Sequence, residues 1–144
     1  MTAPLRVLIV EDEALILMQL ETLVEAAGHA VVGTAIRTDE AIDLAHAARP
    51  DLAFIDLRLC DGDSGIPVAQ ALLEMGNVMV LFITANPLRL GDDLSGADGV
   101  IAKPFTRAVI LGGIQYLEEC IRRPPPTSSM PKGMQMVSNF TIDA

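Results

Sequence analysis

Five short apolar runs, each followed by a segment of different periodicity, constrain the fold of this chain more than any other feature. The runs are nearly continuous and too short for helices, which indicates strands buried on both faces of a parallel sheet. Between them, apolar residues recur at the three- and four-residue spacing of amphipathic helices. The runs cover residues 5–10, 30–34, 51–56, 78–83 and 99–102, and the helical segments cover residues 13–27, 38–48, 66–75 and 105–121. Residues 86–96 carry only weak helical signals because Pro87 and Gly91 interrupt them.

A strand–helix unit repeated with short connections predicts an α/β fold with right-handed crossovers. We expect the (βα)5 flavodoxin-like three-layer sandwich, in which a parallel five-stranded sheet has the order 2-1-3-4-5. Gly28 is placed to end the first helix, and Thr38 is placed to cap the start of the second. Residues 1–122 form this domain. Residues 123–144 open with three prolines and are expected to be an extended or disordered tail, in which residues 137–142 could pair as an edge strand.

The composition narrows the classes of protein to which this chain can belong. Its 144 residues suffice for one domain, and since only 3% are aromatic the core must be aliphatic. The net charge of −9 disfavours DNA and anionic membranes as partners. No apolar run reaches the ~18 residues of a membrane helix, and the N-terminus lacks the features of a signal peptide. Two cysteines, Cys60 and Cys120, are too few for a disulfide framework or a zinc site, so we expect a cytoplasmic protein with reduced thiols.

Polar side chains stand at the ends of four predicted strands, where open parallel sheets bind ligands. Glu11 and Asp12 follow the first strand, Asp56 ends the third, Thr84 follows the fourth and Lys103 follows the fifth. Crowded carboxylates repel one another, and a divalent cation with oxygen ligands and bound water, such as Mg²⁺, relieves that repulsion. Lys103 adds a positive charge and Thr84 a hydrogen-bond donor. These groups predict an electrostatic cradle for a phosphoryl group, with the central carboxylate of Asp56 as its acceptor.

Four sequence blocks at these strand ends resemble the motifs of the response-regulator receiver domain. The blocks are RVLIVEDE at residues 6–13, FIDLRL at 54–59, FITAN at 82–86 and AKPF at 102–105. Each block alone is weakly specific, but all four occur in order, and the resemblance covers residues 4–122. It implies that a histidine kinase or a histidine phosphotransfer protein donates a phosphoryl group to Asp56.

The resemblance also implies a metal site. Mg²⁺ would be held by Glu11 or Asp12, by Asp56 and by the backbone carbonyl of Arg58. Because the acidic pair of this chain is Glu-Asp, Asp12 is the better direct ligand and Glu11 acts through water. Thr84 would contact the phosphoryl oxygens after activation, and Lys103 would pair with the phosphoryl group from a turn in which the Lys103-Pro104 peptide is cis.

Three departures from the family pattern leave the phosphorylation chemistry untouched, and the first two concern the surface that most receivers use to signal. Val100 stands where the fifth strand usually carries an aromatic residue, the segment between Thr84 and Lys103 is shorter than usual, and Cys60 stands where proline is common in a loop one residue longer. Val100 has no ring to rotate and one dominant rotamer. We therefore predict that Thr84 couples phosphorylation to a reordering of residues 86–98 rather than to an aromatic rotation, and that Val100 at the switch position cannot produce a large change of surface.

The tail is too short for a helix-turn-helix domain, which predicts a stand-alone receiver that does not bind DNA. It would signal by contact with a downstream protein of unknown identity, or act as a phosphate sink or shuttle, and its last helix could form a homodimer. Leu15, Leu17 and Met18 give the first helix more apolar surface than one buried face needs, which fits docking and core packing equally.

Three other functions occur on similar folds. Aspartyl-nucleophile phosphatases have a second aspartate two residues after the nucleophile, where this chain has Arg58. A pseudo-receiver that binds partners without phosphorylation is disfavoured by the intact set of Asp12, Asp56, Thr84 and Lys103. Flavin binding is disfavoured by the absence of Trp and of a phosphate-binding loop after the first strand. We expect no enzymatic activity beyond self-phosphorylation and self-dephosphorylation.

Overall fold

The structure, a computed structural model, describes residues 3–62 and 65–137. In these ranges the strands are β1 (Arg6–Val10), β2 (Ala30–Ala35), β3 (Leu52–Asp56), β4 (Met79–Thr84), β5 (Gly99–Ala102) and β6 (Met134–Met136), and the α-helices are α1 (Ala14–Ala26), α2 (Thr38–Ala48), α3 (Gly65–Met75) and α4 (Arg107–Arg122). β1–β5 and the four helices lie within two residues of the boundaries that the periodicity predicts. None of the helices in these ranges has the length and apolar character needed to span a membrane.

The strands form one sheet in the order β2-β1-β3-β4-β5-β6. The first five are parallel and have the predicted order, which confirms the α/β three-layer architecture. The expectation of a five-stranded sheet is wrong in one respect, because β6 pairs antiparallel with β5 and becomes the edge of the sheet.

Alternating side chains of the strands divide the core into two halves. Val7 and Ile9 of β1 pack on the side of α1 and α4, whereas Leu8 and Val10 pack on the side of α2 and α3. The same alternation holds in the central strands β3 and β4, which are buried along their whole length. A sheet covered on both faces explains why its strands appear in the sequence as continuous apolar runs.

Two short 3₁₀ turns, Pro87–Leu90 and Leu94–Gly96, connect β4 to β5. Leu90 and Leu94 are buried against the α2–α3 side of the sheet. Leu94 and Ser95 both adopt a left-handed φ of 53°, which L-residues other than glycine adopt at a cost. Within the described ranges, the (βα)5 pattern is therefore realised with four α-helices, and 3₁₀ turns stand at the remaining helix position.

Residues 123–137 are ordered against the domain, so of the predicted extended or disordered tail the disorder is wrong for this segment, which includes the extended strand β6. The carboxylate of Glu119 in α4 accepts hydrogen bonds from the amides of Thr127 and Ser128, both at 2.8 Å. Farther on, Met134 and Met136 are buried beside β5. Contacts with distant residues, rather than local propensity, order this segment. Of the predicted edge strand, only Val137 lies among the described residues, just beyond β6.

Two predicted helix ends can be compared with the structure. Gly28 follows α1 with a φ of 88°, and the amide of His29 donates to the carbonyl of Val24, so the predicted glycine stop is confirmed. The predicted N-cap of α2 is wrong by one position: Arg37 occupies it, and Thr38 is the first helical residue. The side chain of Glu40 instead accepts a hydrogen bond from the amide of Ile36 just before the helix.

Candidate functional site

Strands β1, β3 and β4 bring three polar side chains to one edge of the sheet. Glu11 directly follows β1, and its amide donates to the carbonyl of Ala35 at the end of β2 (3.0 Å). Asp56 and Thr84 are the last residues of β3 and β4. Glu11, Asp56 and Thr84 expose only 1%, 7% and 3% of their surface. The structure therefore brings these predicted residues together in a largely buried position.

Lys103 follows β5 and contacts the carboxylates of two other strand ends. Its Nζ lies 3.0 Å from Oε1 of Glu11 and 3.3 Å from Oδ2 of Asp56. Its amide donates to the carbonyl of Thr84 (2.9 Å), which extends the pairing of β4 with β5. The Lys103-Pro104 peptide is cis, which confirms that prediction. The lysine thus bridges the ends of β1 and β3.

Burial and crowding determine the charges of this cluster. Burial and then the neighbouring Asp56 raise the pKa of Glu11 to about 7, although the Lys103 ammonium acts against that rise. Burial alone would lower the pKa of Lys103, but Glu11 and Asp56 outweigh it and raise the pKa above its ordinary value. Lys103 is therefore a permanent cation at neutral pH, whereas the charge of Glu11 responds to its surroundings.

The carboxylates of Glu11, Asp12 and Asp56 fit a divalent cation. One oxygen from each lies within 4.8 Å of the others. Asp12 is exposed, so a cation bound there could keep several waters, as Mg²⁺ prefers. Because Glu11 is the most deeply buried of the three, Asp12 and Asp56 are the more accessible oxygen donors. This donor set suits Mg²⁺. That the backbone carbonyl of Arg58 is a further ligand stays a prediction.

The hydrogen bonds of Thr84 and Asp56 leave room for a ligand. Oγ1 of Thr84 accepts from the amide of Asn86 (3.0 Å), so its O–H is available to donate. Oδ1 of Asp56 accepts from the amide of Arg58 at 3.3 Å, whereas Oδ2 faces Lys103. A hydroxyl donor and an ammonium therefore flank the strand end that carries the central carboxylate.

Glu13 is a site residue that the sequence analysis did not single out. Its Oε1 lies 3.6 Å from Nζ of Lys103, and its amide donates to Oε2 of Glu11 (3.1 Å). Glu13 occupies the N-cap of α1 and is exposed, so its carboxylate lies at the entrance of the site. The signal that could have found it is a third acidic residue, two positions after Glu11 in the same strand–helix connection.

Val100 lies in β5, between the neighbouring strands β4 and β6. It pairs with Phe82 of β4 on one side and with Gln135 of β6 on the other, and it is 3% exposed. The position at which the family resemblance places a mobile aromatic ring is thus filled by a short, fully packed side chain.

Comparison with known proteins accounts for this arrangement. The model of the response regulator receiver domain matches residues 7–115. The chain belongs to the response-regulator receiver family. Receiver domains of this family serve two-component systems, in which a phosphorylated aspartate and Mg²⁺ are standard.

Individual relatives support the assignment. The chain is 40% identical over 122 residues to the phyllosphere-induced regulator PhyR of Methylorubrum extorquens. The match covers 81% of this chain and 46% of PhyR, so the chain spans about half the length of that relative. It is 34% identical over 110 residues to the polar-differentiation response regulator DivK of Brucella anthropi, covering 72% of this chain and 87% of DivK. The solution NMR structure of the PhyR receiver domain of Erythrobacter litoralis matches with a TM-score of 0.74 and 36% identity, over 88% of this chain and 98% of that one.

Proposed function

We propose that Asp56 accepts a phosphoryl group from the phosphohistidine of a histidine kinase or a histidine phosphotransfer protein. The observation that carries this proposal is the contact of Lys103 with both Asp56 and Glu11 at the carboxyl ends of the strands. That contact places a cation beside the central carboxylate, where the charge of a transferred phosphoryl group needs to be stabilised.

In the proposed step, a carboxylate oxygen of Asp56 forms a bond to phosphorus while the P–N bond to the donor imidazole breaks. The imidazole nitrogen keeps the electron pair of that bond and takes up a proton from solvent. Lys103, with its raised pKa, remains charged and pairs with a phosphoryl oxygen, and the O–H of Thr84 donates to another. Mg²⁺ held by Asp12 and Asp56 would neutralise further phosphoryl charge.

Intact-mass spectrometry after incubation with acetyl phosphate and Mg²⁺ tests this proposal. We expect one phosphoryl group per chain, none in Asp56→Asn and none when a chelator removes the metal. Asp43→Asn, an exposed aspartate on α2, is the matched control and should be labelled like the wild type. A label retained in Asp56→Asn would show that the acceptor is elsewhere, and repeated turnover of a phosphate ester would indicate a phosphatase.

We further propose that the phosphoryl donor docks beside the site on α1. Leu15 and Met18 expose 82% and 61% of their surface and lie one helical turn apart, immediately after the acidic residues of the site. Leu17 instead packs against the α1–α4 half of the core, so only part of the predicted apolar surface is free.

A double variant, Leu15→Ser with Met18→Ser, distinguishes docking from chemistry. We expect phosphoryl transfer from the phosphorylated donor to slow at least tenfold, while labelling by acetyl phosphate, which needs no docking surface, stays unchanged. Leu88→Ser is the matched control because Leu88 is 95% exposed but lies outside α1. Equal loss in both assays would mean that the variant damages the site itself.

The match covers 87% of DivK, which supports a response regulator that consists mainly of a receiver domain. The net charge of −9 favours a protein rather than DNA as the downstream partner.

A further inference from the structure

Residues 127–137, here called the strap, lie along the free edge of β5. Met134, Gln135 and Met136 pair antiparallel with Ile101, Val100 and Gly99. Backbone hydrogen bonds extend this pairing at both ends, from Ala102 to the carbonyl of Gly133 (2.9 Å) and from Val137 to the carbonyl of Asp98 (3.0 Å). The strap therefore occupies the full length of an edge that would otherwise present unpaired donors and acceptors.

Three glycines of the domain lie under the strap. A Cβ on Gly99 would stand 2.6 Å from Sδ of Met136 and 2.8 Å from the carbonyl of Gln135, distances that no packed side chain tolerates. In α4, a Cβ on Gly112 would meet Pro131 at 3.7 Å, and one on Gly113 would meet Met134 at 3.4 Å. Two adjacent glycines weaken a helix, and here they leave space on α4 for Pro131 and Met134 of the strap.

The strap is fastened at its start by one buried carboxylate. Glu119 is 6% exposed, and its Oε1 receives the amides of Thr127 and Ser128 together with the Thr127 hydroxyl at 3.4 Å. These hydrogen bonds lower the pKa of Glu119, which keeps it charged. Beyond this anchor, the strap is held by backbone pairing with β5, by the buried side chains of Met134 and Met136, and by Val137, which packs against the α2–α3 side of the core.

We propose that the edge of β5 and the glycine face of α4 form a groove for an extended segment of a partner protein, and that the strap fills this groove as an internal substitute. The strap shows which ligand the groove takes: a strand antiparallel to β5 with flexible apolar side chains at two alternate positions, corresponding to Met134 and Met136. Main-chain pairing supplies affinity in such strand addition, and the alternate side chains supply specificity.

The strap is suited to exchange with such a segment. β6 is only three residues long, and among the described strands it pairs with β5 alone. Methionine adapts its shape to different surroundings, so its pockets accept other apolar side chains. Opening the strap costs the hydrogen bonds to Glu119, a three-residue ladder and the burial of Met134 and Met136, but it leaves the five parallel strands paired with one another. The proposal concerns a surface remote from Asp56 and does not depend on phosphoryl acceptance.

A labelled synthetic peptide of residues 129–137 tests the groove, because it contains the pairing segment but not the residues that Glu119 anchors. In full-length Glu119→Ala we expect the peptide to bind at least tenfold more tightly than in the wild type, as measured by fluorescence anisotropy. Glu118→Ala is the matched control: Glu118 pairs with Arg122 and Arg123 instead of the strap, so this variant should behave like the wild type.

Adding Gly99→Ala to Glu119→Ala should abolish peptide binding, because the new methyl group blocks the groove. Hydrogen exchange at the amides of β3 and β6 shows in each variant that the sheet is intact and whether the strap has opened. If the strap is open in Glu119→Ala and the peptide still does not bind, the groove is not a docking site. If the strap stays protected in that variant, Glu119 is not its anchor and the proposal is equally wrong.

Discussion

Glu11 is the residue whose protonation most directly links the site to the stability of the fold. Its pKa in the folded chain is about 7, against 4.5 ordinarily, because burial and Asp56 disfavour its charge. The folded state therefore binds this proton more tightly than the unfolded state. The resulting stabilisation is fully present below about pH 4.5 and is lost as the pH rises to about 7.

We expect Glu11→Gln, which stays neutral, to remove this part of the pH dependence. Urea unfolding of the metal-free protein between pH 4.5 and 7 should show a steeper loss of the free energy of unfolding in the wild type than in Glu11→Gln. Glu25→Gln, an exposed position on α1, should follow the wild type. Parallel profiles of wild type and Glu11→Gln would show that Lys103 keeps Glu11 ionised throughout.

Single residues were predictable where position along a strand decides their role. The ends of the apolar runs identify Glu11, Asp56, Thr84 and Lys103 as candidate site residues, because parallel strands all end at the same edge of the sheet. Glu13 and Glu119 were not predictable in this way. Their partners, Lys103 and the strap, are reached through tertiary contacts that local periodicity does not encode.

At the scale of elements, helix α4 contains two adjacent glycines, Gly112 and Gly113, that lie against the strap. Glycine in a helix interior costs about 0.5–1 kcal/mol relative to alanine. A Cβ on Gly112 would make an ordinary contact with Pro131 at 3.7 Å, so Gly112→Ala should raise the free energy of unfolding by about 0.5–1 kcal/mol. Gly113→Ala, closer to Met134, should gain less, and Gly99→Ala should destabilise because of its short contacts.

Urea unfolding of the three alanine variants checks this order of stabilities. If the slopes of the transitions are unchanged, the midpoints rank the free energies of unfolding. A destabilised Gly112→Ala would mean that the strap packs more tightly on α4 than the structure shows. The same comparison explains why the strap was not predictable as an element. Prolines and serines make up most of residues 124–129, which favours disorder, whereas the strap is ordered by Glu119 and by the space that distant glycines leave.

At the scale of the whole molecule, the order of the parallel strands was predictable because short crossovers and two-sided burial leave few alternatives. The path from β4 to β5 was not predictable in the same way. Pro87, Gly91 and Gly96 argue against a helix, but no local rule specifies that Leu90 and Leu94 turn inward to pack on the sheet. The result is a connection that joins the site at Thr84 to the core through two short turns.

This connection is where we expect phosphorylation to be read. Oγ1 of Thr84 accepts from the amide of Asn86, so a phosphoryl group that draws the hydroxyl toward Asp56 shifts the first residue of the segment 86–98. Leu94 and Ser95, each at a φ of 53°, give that segment a strained turn that can relax when its start moves. Val100, packed between β4 and β6 with one dominant rotamer, cannot respond by a comparable rearrangement.

Hydrogen exchange with and without beryllofluoride and Mg²⁺ measures this response. We expect protection of amides in residues 86–98 to change several-fold, because the ligand favours the arrangement that its contacts with Thr84 stabilise. The amides of Val100 and Ile101 in β5 should keep their protection. Thr84→Ala should bind the same mimic without the change in residues 86–98, which separates coupling from binding. Unchanged exchange in residues 86–98 together with altered exchange at the strap or at α4 would move the switch to that surface.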